Sequence, residues 1–128
     1  MSTVSMSLDA IYALAHDTMT ANGCDEANAA ALADIVMRAE RDGSHSHGLF
    51  RVPGYVKALR SGKVDGKAKP TVTKKTPAVV HVDGDGCFAP LAQAVGLPVL
   101  AEATEEIGVA ALSLTGVHHF AALWPETE

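Results

Sequence analysis

The sequence predicts an α/β fold in which a sheet is begun but not completed within 128 residues. Three observations carry this. Up to Arg60, apolar residues recur three and four apart, the spacing of amphipathic helices. From Thr71 the pattern shortens to brief β-branched runs, which suit strands. A helical stretch from Leu91 to Ile107 then leads into the apolar run Val109 to Leu114, a helix-to-strand order that builds α/β sheets. The expected architecture is an N-terminal helical hairpin plus a third helix, then the start of a mixed or antiparallel sheet with a covering helix. It is incomplete without further chain.

The first helix runs from Ser7 to Asn22. Ser7 caps it, Leu8, Ile11, Ala15 and Met19 repeat along one face, and Gly23 ends it. Asp25 caps the second helix. Its inner stripe is Ala29, Leu32, Val36 and Ala39, while Arg38, Glu40 and Arg41 face outward or toward a site. Alanines on a stripe let helices approach closely, so the two form an antiparallel hairpin. The segment Gly43 to Gly48 is too polar and glycine-rich for a helix interior and reads as a loop. It feeds a third helix with Val52, Tyr55, Val56 and Leu59 inside and Gly62 at its C-cap. Pro53 belongs near the start of that helix, because an interior proline costs about 3 kcal/mol.

Lys63 to Pro70 carries glycine and lysine and is the best candidate boundary. It separates a helical substrate and catalytic subregion (1–69) from the beginning of a sheet subregion (70–128). Thr71–Thr73 and Ala78–Val82 read as strands, and Asp83–Gly86 as a turn. Gly96 and Pro98 predict a kinked or split helix between Leu91 and Ile107. Gly108 stops it, and Val109 to Leu114 is expected to be a buried strand. Thr115 to His119 then lies at a strand's carboxyl end, where α/β folds collect functional groups. No further strand follows before Glu128. Either a second polypeptide supplies the rest or the chain is a fragment.

Composition narrows the class. At 48% hydrophobic and 20% charged, the chain is globular rather than disordered. Net charge is −5, with the basic residues dispersed, so no face invites nucleic acid. No apolar run approaches the roughly 20 residues that span a bilayer. The N-terminus lacks the basic and apolar regions of a secretory signal. Cys24 and Cys87 are single and far apart, which fits reduced, packed thiols in a cytoplasmic protein.

The densest concentration of chemistry is Arg41 to Arg51: two glycines, two serines, two histidines, an aspartate and two arginines in one short segment. Histidine exchanges protons near neutrality, and arginine grips a carboxylate through paired hydrogen bonds. Proton donor, relay and anion clamp are the parts of a site acting on a small acid. On an extended segment His45 and His47 share one face, with Ser46 opposite. A metal reading would join His45 and His47 to His118 or His119 and Asp42, but no HExxH or cysteine pair accompanies them. His47, beside Gly48 and ahead of Arg51, is the better catalytic candidate. His45 is read as scaffolding that bonds a backbone carbonyl. Arg51 either clamps a substrate or pairs with Glu40 or Asp42. Tyr55 is core or pocket wall. The Asp83–Gly86 run lacks the later ligands of a calcium loop, and no GxGxxG follows a strand. In His118-His119-Phe120-Ala121-Ala122, backbone amides could receive a phosphate at a helix start. The same residues also suit an ordinary helix N-terminus with Phe120 and Trp124 packed inward.

Two segments carry a resemblance: Gly43-Ser44-His45-Ser46-His47-Gly48-Leu49-Phe50-Arg51-Val52-Pro53-Gly54-Tyr55, and His118 through Glu126. Together they resemble the malate/lactate dehydrogenase-like oxidoreductases with a non-Rossmann fold, and within them the branch that reduces Δ1-piperideine-2-carboxylate and Δ1-pyrroline-2-carboxylate. The resemblance runs from about Cys24 to the last residue. It implies NADPH or NADH as cofactor and a homo-oligomer, typically a dimer. It implies His47 as proton donor, Ser46 as its relay partner and Arg51 as the carboxylate clamp. His118, His119, Phe120, Ala121 and Ala122 would form a cofactor-binding segment. Such enzymes are much longer, with a relay aspartate and more sheet that this chain does not contain. Leu114-Thr115-Gly116-Val117 also departs from a more polar lead-in. A dehydrogenase of 2-keto acids and a truncated, non-catalytic chain paired with another subunit are the alternatives.

Overall fold

A computed structural model describes residues 3–118. Helix α1 spans Leu8–Ala21, and the Ala10 amide donates to Ser7 Oγ at 3.1 Å. Gly23, at φ +104°, turns the chain out of it. Ile11, Ala15 and Met19 are buried as spaced, whereas Leu8 stays 40% exposed, so the buried stripe begins one turn later than its periodicity suggested. Helix α2 spans Glu26–Arg41 and buries Ala29, Leu32, Val36 and Ala39 against α1. Helix α3, Val52–Arg60, has Pro53 in its first turn and buries Val52, Tyr55 and Ala58. Val56 and Leu59 are only half-buried there. Cys24 and Phe88 join these helices in one apolar cluster.

Residues 61–70 form no regular element, yet they are anchored. Gly66 O accepts from the Asp25 amide at 2.8 Å, and buried Asn28 donates to Ala68 O at 3.2 Å. Asp25 is the hub: it caps α2 by accepting the Asn28 amide at 3.0 Å and pairs with Lys69. The Lys69 ammonium, then the Asn28 side chain and amide, hold the Asp25 carboxyl down from 3.8 to about 2. A folded-state value below the unfolded one adds stability above pH 3.8, which is lost as pH falls through about 2. Asp25→Ala is expected to destabilise the protein by roughly 1–2 kcal/mol through the lost cap and ion pair. Asp25→Asn, which keeps a capping acceptor, should cost less and flatten the pH dependence between 4 and 2. Urea denaturation across that range measures both.

Strands β1 (Thr71–Thr76) and β2 (Val79–Asp83) pair antiparallel, with Val72 opposite Val82 and an irregularity between Lys74 and Thr76. Strand β3 (Ala111–Thr115) lies parallel to β2, giving the order β1-β2-β3. The parallel step requires a crossover, and helix α4 (Ala89–Ile107) supplies it. One sheet face packs on α4 through Val82, Leu91, Ala92, Leu112 and Leu114. The other face is polar, with His81 reaching Ser113 and Thr115 at 3.4 and 3.3 Å.

Of the two forms expected around Gly96 and Pro98, kinked or split, the split one does not occur: α4 is one helix with Pro98 inside it. Buried Leu91 and Ala92 before the proline and Ala103 after it anchor both halves, so packing outweighs the missing bond. Gly96 has a different role, since a Cβ there would lie 2.8 Å from both Leu112 Cδ1 and Val82 Cγ2. It brings the helix onto the sheet. Strand β3, in turn, is not buried. It is an edge of the described sheet with one covered face, so Ala111, Ser113 and Thr115 are exposed. Gly108 does end α4, at φ +87°. Cys24 and Cys87 are free and buried, and burial pushes the Cys24 thiol up to about 11 and raises that of Cys87.

Candidate active site

The Arg41–Arg51 segment leaves α2 through Asp42 and Gly43, which takes φ +73°. It is not extended. Two short 3-10 turns, His45–His47 and Leu49–Arg51, carry it into α3. At three residues per turn, side chains two apart diverge and those three apart align. The two histidines therefore part company. His45 Nδ1 meets Glu40 Oε2 at 2.5 Å, a carboxylate rather than the expected backbone carbonyl. His47 Nδ1 lies 3.1 Å from Ser46 Oγ and 3.2 Å from Ser44 Oγ.

Ser44 went unrecognised in the sequence. Its position three residues before His47 was the available signal, usable only once the segment is known to be a 3-10 turn. Two hydroxyls within hydrogen-bond reach of one ring nitrogen hold the orientation of the imidazole. Arg51 donates from Nε to Ser46 O at 2.8 Å. The carboxylates proposed for it are engaged elsewhere: Asp42 by Arg41 at 2.6 and 3.1 Å, and Glu40 by His45. With Nε held by the loop, the terminal guanidinium nitrogens of exposed Arg51 present the fork that matches a carboxylate.

Tyr55 is core. It is 4% exposed, packs on Phe88 with ring centroids 5.7 Å apart, and Phe88 in turn meets His118 edge-on at 6.1 Å. Burial pushes the Tyr55 hydroxyl up to about 12 against the pull of Arg51, so it stays protonated. This aromatic column joins α3 to the end of β3. The backbone of His118 is pinned there, its amide donating to Cys87 O at 2.8 Å and its carbonyl accepting from Ala89 at 3.0 Å. His118 lines a cleft of about 360 Å³ with Gly54, Lys57, Ala58, Ser61 and Lys63. Two ammonium groups, a hydroxyl and an imidazole are donors that suit a phosphate, the anionic part of a dinucleotide cofactor. His119, Phe120, Ala121 and Ala122 lie outside the described residues. A smaller hollow of about 210 Å³ is lined by His45, Ser46 and Phe50, whose ring is 76% exposed. Among the described residues no three His, Cys, Asp or Glu side chains gather as metal ligands.

A helical hairpin, a Ser-His-Arg loop and a mixed sheet covered by one helix are the N-terminal portion of a dehydrogenase and reductase fold. Residues 6–128 match the malate/L-lactate dehydrogenase family, and the chain belongs to that family. Among its relatives, Δ1-pyrroline-2-carboxylate reductase of Ancylobacter novellus is 46% identical over 125 residues, 98% of this chain and 37% of the relative. The Δ1-pyrroline-2-carboxylate/Δ1-piperideine-2-carboxylate reductase of Pseudomonas putida is 48% identical over 107 residues, 84% of this chain and 31% of the relative. The crystal structure of Δ1-piperideine-2-carboxylate reductase from Pseudomonas syringae pv. tomato superposes with a TM-score of 0.92 at 43% identity. That match covers 97% of this chain and 37% of the other. The chain thus spans 31–37% of the length of these relatives.

Proposed function

We propose that this chain carries the proton-donor and carboxylate-binding part of an NAD(P)H-dependent reductase of cyclic imine 2-carboxylates. Its products would be L-pipecolate and L-proline. One observation carries the reading: Ser46 ties the two chemical groups together, its hydroxyl on His47 and its carbonyl on Arg51. Proton donor and anion clamp are therefore held at a fixed separation, as a substrate with a carboxylate beside its C=N carbon requires.

The chemistry that a reduced nicotinamide would supply, when bound, is the hydride for the imine carbon. The chain's own residues do the rest. Arg51 takes the carboxylate with its terminal nitrogens, which orients the imine nitrogen toward His47. The imidazolium of His47 gives the Nε2 proton to that nitrogen as electron density collects there. Ser46 and Ser44 stay on Nδ1, holding the tautomer and the ring while the charge leaves. Lys57 and Lys63, beside His118, would hold cofactor phosphates, and the resemblance adds His119, Phe120, Ala121 and Ala122 to the cofactor-binding residues.

The same reading makes residues 1–69 the substrate and catalytic subregion and 70–128 the start of the cofactor sheet. It places the enzyme in the cytoplasm as a homo-oligomer of the complete unit. The close relatives named for imine acids favour this substrate class over 2-keto acids. The test is a panel of Δ1-piperideine-2-carboxylate, Δ1-pyrroline-2-carboxylate, pyruvate and oxaloacetate, run with the full-length enzyme and NADPH or NADH. The imines should exceed the keto acids by about tenfold or more in kcat/KM. Preference for pyruvate or oxaloacetate would replace this reading with a 2-keto acid dehydrogenase. No turnover of any of them would leave a non-catalytic chain.

A further inference from the structure

We infer that Glu40 is a positioning residue for the proposed reaction, a carboxylate staple that sets the place of His47 and Arg51 without touching either. Three observations converge on it. Glu40 sits in the last turn of α2 with its side chain 14% exposed, so its charge is largely shielded and needs partners. Both oxygens have one: Oε2 meets His45 Nδ1 at 2.5 Å and Oε1 accepts the Leu49 amide at 2.8 Å. His45 and Leu49 are the first residues of the two 3-10 turns, so one carboxylate fastens both turns to α2. The Leu49 amide opens a turn and would otherwise lack an acceptor.

Gly48, which separates the turns, is the third observation. A Cβ there would lie 2.1 Å from Glu40 Oε1, 2.5 Å from Cδ and 2.7 Å from Cγ. The close approach of this carboxylate leaves no room for a Cβ at position 48 while Glu40 keeps its place. Glu40 and Gly48 are a close-packed pair. Between their contact points lie Ser46, His47 and the carbonyl that fixes Arg51. Loosening the staple therefore moves proton donor and clamp together.

This rests on the proposed function, and a double-mutant cycle in the full-length enzyme tests it. Glu40→Ala should lower kcat/KM for the imine acid by about 10- to 100-fold, the range for groups that orient a catalytic residue. Binding of NADPH, read by its fluorescence, should stay unchanged. Glu40→Gln keeps an acceptor for the Leu49 amide and should recover most of the loss. Gly48→Ala should mimic Glu40→Ala by pushing the carboxylate aside, and the double variant should be no worse than the poorer single one. Retention of kcat/KM within about twofold in Glu40→Ala, or effects of the two substitutions that multiply, would overturn the inference. So would an equal loss of NADPH binding, the sign of general damage. Amide exchange gives a readout independent of turnover: protection of the Leu49 amide should fall about tenfold or more in Glu40→Ala. Unchanged protection would refute the staple. A wild-type enzyme inactive on every imine acid would sink the function while the exchange result still judged Glu40.

Discussion

Replacing His47 by alanine is expected, on the proposed function, to lower kcat by about 10²- to 10⁴-fold, the usual worth of a positioned general acid. The reasoning starts from charge. As hydride reaches the imine carbon, the ring nitrogen becomes an amide-like anion unless a proton arrives in the same step. Without His47 the proton must come from water, which is neither placed nor acidic enough. Substrate binding through Arg51 does not depend on the imidazole, so KM should change far less than kcat. The two serines divide the work of holding Nδ1 at 3.1 and 3.2 Å. Ser46→Ala and Ser44→Ala should each cost about tenfold, and the pair more than either, because one hydroxyl covers partly for the other. Stopped-flow loss of cofactor absorbance under single-turnover conditions measures the chemical step directly. A His47→Ala enzyme within about threefold of wild type in that step would remove His47 from the proton-donor role.

Much of this fold can be read locally because its signals are local. Ser7 and Asp25 cap α1 and α2 through side-chain bonds to amides three residues on, and Gly23 and Gly108 take the left-handed backbone that ends α1 and α4. Those choices involve neighbours along the chain and leave their mark in residue type. The errors arise where a distant partner decides. Pro98 sits within an unbroken α4 whose residues are buried on both sides of it, Leu91 and Ala92 before and Ala103 after. β3 looks buried by composition, and only the strand order shows it to be an edge. In the site, Ser46, His47 and Arg51 stand close enough in sequence to be singled out together. Ser44 and Glu40 do not announce themselves. Their roles depend on the 3-10 geometry that turns Ser44 toward His47 and brings Gly48 against Glu40. A glutamate on a helix's polar face has the same letter whether it faces water or staples a loop.

Arg51 gives the second large effect, and it should fall on binding rather than chemistry. Its Nε is spent on the Ser46 carbonyl at 2.8 Å, which leaves the two terminal nitrogens to take both oxygens of a substrate carboxylate. Hydrogen bonds to a charged group contribute about 1.5–3 kcal/mol each, so Arg51→Ala is expected to raise KM for the imine acid by about 100-fold or more. Arg51→Lys keeps the charge but loses both the fork and the bond to Ser46, and a point charge on a flexible stem should restore only part of the affinity. Removing the carboxylate from the other side completes the argument. A cyclic imine without the 2-carboxylate should be a poor substrate for the wild-type enzyme, yet lose almost nothing further in Arg51→Ala, because the group that Arg51 would hold is already gone. The gap in kcat/KM between the two substrates should therefore close in the variant. If Arg51→Ala slows both substrates equally, the arginine shapes the loop through Ser46 and does not hold the carboxylate.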